Sequence, residues 1–115
     1  MKLKTKKNAT YWINVHGGSF LVKPLSLSEE EDIERRNREY DTKGNLITKH
    51  QFRAKIHAVL QDWGPEIEDE EGNKLSCTTE NIDLLTEENT EIATDILREA
   101  SRINGETQRA SEKNS

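Results

Sequence analysis

Residues 10–23, TYWINVHGGSFLVK, carry the only sustained two-residue periodicity in the chain. Tyr11, Ile13 and Val15 alternate with Trp12 and Asn14, and Phe20 and Val22 alternate with Leu21 and Lys23. Gly17-Gly18 lies between the two runs and can take the positive φ angles of a two-residue hairpin turn. Pro24 ends the pairing because it has no N–H to donate. Beyond Pro24 the apolar spacing changes to that of helices. The change of period predicts an α+β fold: a short N-terminal β-hairpin followed by a small, mostly α-helical domain of about four helices.

Helix starts are marked by side chains that can accept the orphan N–H groups of a first turn. Ser28 and Glu31 form a capping box, and the acids Glu29 to Asp32 suit the positive end of the helix dipole. That helix is expected to run to about Tyr40, with a thin stripe of Ile33, the stem of Arg36 or Asn37, and Tyr40. Asp41 to Asn45 reads as a turn. Thr48 and Gln51 form a second box, opening a helix over 49–61 with Phe52, Ile56, Val59 and Leu60 on one face. Gly64-Pro65 ends it. Residues 66–75 read as a turn or small hairpin around Glu71-Gly72-Asn73. Thr78 or Thr79 caps a short helix with Ile82, Leu84 and Leu85. Thr86 is expected to cap the last helix, whose face is Ile92, Ala93, Ile96, Leu97, Ala100 and Ile103. No internal repeat is read in the sequence.

Ile, Leu, Val and Phe make up only 24 of 115 residues, and mean hydropathy is -0.95. That is too little for a deep catalytic pocket and close to the composition of disordered chains. The scarcity is concentrated at the ends. Residues 1–9 are expected to be a flexible basic arm, with Lys2, Lys4, Lys6 and Lys7, and residues 104–115 a disordered polar tail. Residues 10–103 are left as a single domain.

Within it the charge is uneven. Residues 33–57 hold three acids and seven bases, whereas residues 62–99 hold 13 acids and two bases. Such a surface can steer a basic protein partner and disfavours nucleic acid. The basic residues Lys49, Arg53, Lys55 and His57 lack the second helix and tight turn of a helix-turn-helix. One cysteine, Cys77, permits no internal disulfide, and no apolar run suggests a secretion signal or a membrane span. A cytoplasmic protein is the expectation.

Motifs for catalysis and metal binding are not found. His16, His50 and His57 have no helical i, i+4 spacing, and Cys77 has no neighbouring cysteine. A calcium loop centred on Gly72 would need ligands where Ile67 and Thr78 stand. Gly17-Gly18 lacks the surroundings of a phosphate loop. The expectation is a protein that is not an enzyme, with no cofactor and no metal. Its partner-binding candidates are the aromatic residues at the edges of the pattern: Tyr11, Trp12, Tyr40 and Trp63. If buried, Trp63 would be a core anchor instead.

Two segments taken together resemble a family. The first is Trp12 to Ser26, ending Gly18-Ser19-Phe20-Leu21-Val22-Lys23-Pro24-Leu25-Ser26, with the acidic helix directly after it. The second is Val59-Leu60-Gln61-Asp62-Trp63, followed by Ile67-x-Asp69-Glu70-x-Gly72-Asn73-x-Leu75 and by Cys77-Thr78-x-Glu80-Asn81-Ile82-x-x-Leu85. Across residues 12–100 this order is similar to the small tail assembly chaperones of long-tailed bacteriophages and prophages. The resemblance implies no catalysis. It implies partners in the tape-measure protein, whose apolar helical stretches such chaperones coat, and in the tail-tube protein. A homo-oligomer is compatible with this reading. The alternatives are a structural tail component of the connector or baseplate, and a small acidic regulator or inhibitor of a host protein.

Overall fold

A computed structural model describes Met1 and residues 9–113, the side chains of 105–113 excepted. Strands β1 (Tyr11–Val15) and β2 (Gly18–Val22) form the expected hairpin. Helices α1 (Leu27–Arg36) and α2 (Lys49–Val59) follow, then strand β3 (Leu60–Trp63) and helices α3 (Thr79–Glu88) and α4 (Thr90–Lys113). The result is the α+β architecture of a hairpin and four helices, with one strand more than expected.

The third strand corrects the reading of 49–61 as a helix. The helix stops at Val59, and Leu60 turns extended with φ -81° and ψ 116°. β3 pairs antiparallel with β2, giving the sheet order β1-β2-β3. Phe20 faces Trp63 and Leu21 faces Asp62, but Val22 faces Leu60, so Gln61 is an extra residue on β3. A bulge of this kind re-phases the strand. It lets Leu60 and Trp63, three residues apart, both enter the core on a strand, where the usual repeat is two.

The turn of the first hairpin also differs by one residue. Val15 pairs with Gly18, so His16 and Gly17 form the turn, with φ of 50° and 82°. Positive φ at both central residues is what a type I′ turn requires. Gly18 belongs to β2 and is needed for another reason. A Cβ there would lie 2.7 Å from the Ile67 side chain, which packs over the strand.

Helix starts follow the capping logic in shifted frames. Ser26, not Ser28, caps α1: its hydroxyl accepts from Glu29 N–H at 3.1 Å, and Glu29 accepts from Ser26 N–H at 3.2 Å. Both frames satisfy the sequence pattern, and the earlier one starts the helix right after the buried Leu25. α1 ends at Arg36, because the Asn37 side chain and backbone both donate to the Ile33 carbonyl. Thr48 makes no capping bond. Gln51 instead is buried and donates to the Glu34 carbonyl at 2.9 Å, tying α2 to α1. Thr78 caps α3 through Asn81 N–H. Thr86 does not start α4; it lies inside α3, buried, with its hydroxyl donating to the Ile82 carbonyl at 2.8 Å. The break comes at Asn89, whose N–H donates to Leu85.

The backbone of α4 runs to Lys113, past the end at Ile103 set by the last large apolar residue. Ala, Glu, Gln, Arg and Lys within that stretch all favour helix intrinsically. The basic arm at 2–8 lies outside the described residues.

A short structural repeat stands where none was read. Asp41-x-x-Gly44-Asn45 and Asp69-x-x-Gly72-Asn73 close in the same way. Each Asp carboxylate accepts from two backbone N–H groups at 2.9 Å, those of the residues two and four positions on. Each glycine has φ 84°. Each loop is clamped by one antiparallel bridge, Tyr40 with Leu46 and Glu68 with Lys74. The first loop leads into α2 and the second into α3.

The core lies between the sheet and the helices. Ile13, Val15, Phe20, Val22, Leu60 and Trp63 come from the strands, and Ile33, Ile56, Val59, Ile82, Leu85, Ala93, Ile96 and Ala100 from the helices. Ile56, Ile96 and Val22 are fully buried.

Candidate functional site

The four candidate aromatics are dispersed. Tyr11 and Trp12 are adjacent on β1 and face opposite ways: Tyr11 packs half-buried against the core, and Trp12 is 57% exposed on the outer face beside Leu21. Tyr40 is also 57% exposed but stands in the first Asp-Gly-Asn loop. Trp63 is buried, 7% exposed. Its ring meets Phe20 edge-to-face at 6.4 Å, and its indole N–H donates to the Leu75 carbonyl at 2.6 Å. Trp63 is therefore the core anchor, and it is corrected out of the exposed set.

Its burial shapes something the sequence did not point to. A groove of about 300 Å³ opens between the β1–β2 turn, the second Asp-Gly-Asn loop, α3 and the start of α4. Val15, Phe20, Trp63 and Leu85 form its buried floor, and Ile67, Leu75 and Ile92 are half-buried at its sides. Leu84 stands on its edge, 45% exposed. Asn81, Asn89, His16, Gly17, Gly18, Glu66 and Glu68 complete the lining.

Electrostatics distinguish this side of the molecule. Three bases of α2 are matched internally: Lys55 pairs with Glu34 at 2.6 Å, His57 with Asp83 at 2.7 Å, and Arg53 with Glu87. The groove, by contrast, is built mainly from the acidic segment 62–99. Glu66, Glu68, Glu80, Glu88 and Glu91 are exposed along those elements. An apolar floor with an acidic surround fits an apolar segment flanked by lysine or arginine.

Glu66 has a structural task as well. Its carboxylate accepts from the Ser19 hydroxyl and from Ser19 N–H, latching the turn after β3 to β2. The Ser19 hydroxyl bond is the main cause holding its pKa below the ordinary 4.5. Asp41 and Asp69 are likewise held below 3.8, chiefly by the backbone N–H groups of Asn45 and Asn73. A carboxyl with a lowered folded-state pKa stabilises the fold fully above its unfolded value and loses that contribution as pH falls through the folded value. Thermal melts should therefore hold their midpoint down to about pH 4.5 and drop below it. In Glu66→Gln the acid limb should be shallower, while Glu99, lowered from the same value chiefly by its hydrogen bond from Arg102, keeps the onset in place. An unchanged limb would remove the latch from this account.

Cys77 is half-buried, and burial with the nearby Asp62 charge raises its thiol above 9.0. It stays protonated at neutral pH. Among the described residues no helix is long and apolar enough to cross a membrane.

No curated protein and no solved structure matches the chain. The profile of the YdaY prophage protein family matches residues 26–114, from the N-cap of α1 through α4. The chain belongs to the YdaY prophage protein family.

Proposed function

We propose that this prophage protein is a non-enzymatic tail assembly chaperone, which holds an apolar helical stretch of a tail protein in the groove over Trp63 until assembly. The observation that carries the reading is the pairing of an apolar floor with an acidic surround on one face. A helix bearing an apolar stripe between basic flanks satisfies both features. The order of motifs along residues 12–100 supports tail proteins as the source of that helix. The tape-measure protein, long and helical, is the first expected partner, and the tube protein the second.

The test is co-expression of the tagged full chain with the tape-measure and tube proteins of the same prophage. Capture of the tape-measure protein at about 0.1 M salt, weakening strongly near 0.5 M, is the expected result for an interface steered by charge. Failure to recover either tail protein would overturn the proposal. Purified virions provide the second readout. A chaperone is absent from them, whereas a connector or baseplate part remains.

A further inference from the structure

We propose that His16, Glu91 and Asp95 form a binding site for one transition-metal cation, best suited to Zn²⁺. Glu91 and Asp95 are one turn apart on α4, so their carboxylates share a face. The β1–β2 turn brings His16 over them from the other end of the domain. One ligand atom from each of the three lies within 4.8 Å of the others. His16 Nε2 is 2.7 Å from Asp95 Oδ2 across 79 residues of sequence.

Zinc bonds of about 2.0–2.2 Å to nitrogen and oxygen put tetrahedral ligand atoms roughly 3.4 Å apart. The His16–Asp95 pair must open by less than about 1 Å and Glu91 must close by up to about 1.4 Å. Glu91 and His16 are exposed, and such side chains have room to move. Imidazole with two carboxylates favours zinc, cobalt or nickel over calcium and magnesium, which take all-oxygen sites. Water completes the fourth position. The metal takes the place of the hydrogen bond between His16 and Asp95.

The rival for Asp95 is Arg98, whose Nη1 lies 2.7 Å from Oδ1. Arg98 is 72% exposed and bonds the other carboxylate oxygen, so it competes without blocking Oδ2. A bound cation would staple the β1–β2 turn to α4 at the end of the groove. This inference does not depend on what the groove holds.

Isothermal titration calorimetry of the full chain with zinc chloride at pH 7.5 tests it. The expected result is saturable one-to-one binding, with a rise of several degrees in Tm at saturation. Cobalt should give the visible absorption of a tetrahedral centre. His16→Asn, which preserves a residue tolerant of the left-handed turn, and the surface change Glu91→Gln should each weaken binding by roughly tenfold or more. Arg98→Ala should tighten it. His50→Gln with His57→Gln should leave it unchanged, because those histidines pair elsewhere with Glu39 and Asp83. Absence of saturable binding up to about 1 mM zinc, or equal affinity in Glu91→Gln and the parent, would overturn the site.

Discussion

Trp63→Ala is expected to lower the stability of the domain by about 3–5 kcal/mol, the range for emptying a large aromatic from a core. The mechanism has two parts. The indole fills the space between β2 and the second Asp-Gly-Asn loop, edge-on to Phe20. It also donates to the Leu75 carbonyl, the bond that fastens that loop to the sheet. Truncation leaves a cavity and a carbonyl without its donor. For a domain of this size, total stability is only about 5–15 kcal/mol, so a fifth or more would be lost. Denaturant titrations followed by circular dichroism measure it without relying on the tryptophan signal. Trp63→Phe separates the parts: it keeps a ring but removes the N–H, and should cost about 1–3 kcal/mol. The control is Trp12→Ala. Trp12 is 57% exposed on the outer sheet face, and its loss should change stability by less than about 1 kcal/mol. Equal effects at the two positions would mean that Trp63 is not the anchor described.

Trp63 also shows where the sequence is informative and where it stops. The hairpin was readable because Ile13, Val15, Phe20 and Val22 alternate strictly, and the faces of α2 and α4 because Ile56, Val59, Ile96 and Ala100 keep helical spacing. β3 was not readable. Leu60 and Trp63 are three apart, which is a helical interval, and only the bulge at Gln61 makes it compatible with a strand. Capping frames were ambiguous for a similar local reason. Ser26-x-x-Glu29 and Ser28-x-x-Glu31 obey the same rule, and packing of Leu25 goes with the first. The paired Asp-x-x-Gly-Asn loops are not legible as a repeat because five residues with different flanks are too short to stand out. Their equivalence lies in hydrogen bonds. The groove and the His16–Glu91–Asp95 cluster are long-range products. Each joins the first hairpin to the last helices, and no spacing rule within a single element can bring such residues together.

The prediction that separates the two apolar surfaces of the molecule is a comparison of Leu84→Lys with Trp12→Lys. Leu84 stands on the edge of the groove, 45% exposed. Trp12 stands on the outer sheet face, away from the groove lining. Lysine at position 84 should leave the fold intact, because Glu80 and Glu88 are four residues to either side on α3 and favour a cation between them. For a basic, apolar helix the same change removes a contact and adds a like charge at the mouth of the groove. Capture of the proposed tail partner should therefore fall by about a hundredfold or more, on the order of 3 kcal/mol, with an unchanged melting curve. Trp12→Lys should reduce capture by less than about threefold. The reverse pattern would move the docking surface to the Trp12–Leu21 face. Among the described residues that face carries Asp62 opposite Leu21 and Glu66 bonded to Ser19, fewer acids than surround the groove, so its binding would vary less with salt. Measuring both variants at two ionic strengths thus identifies the surface twice, once by position and once by its electrostatics.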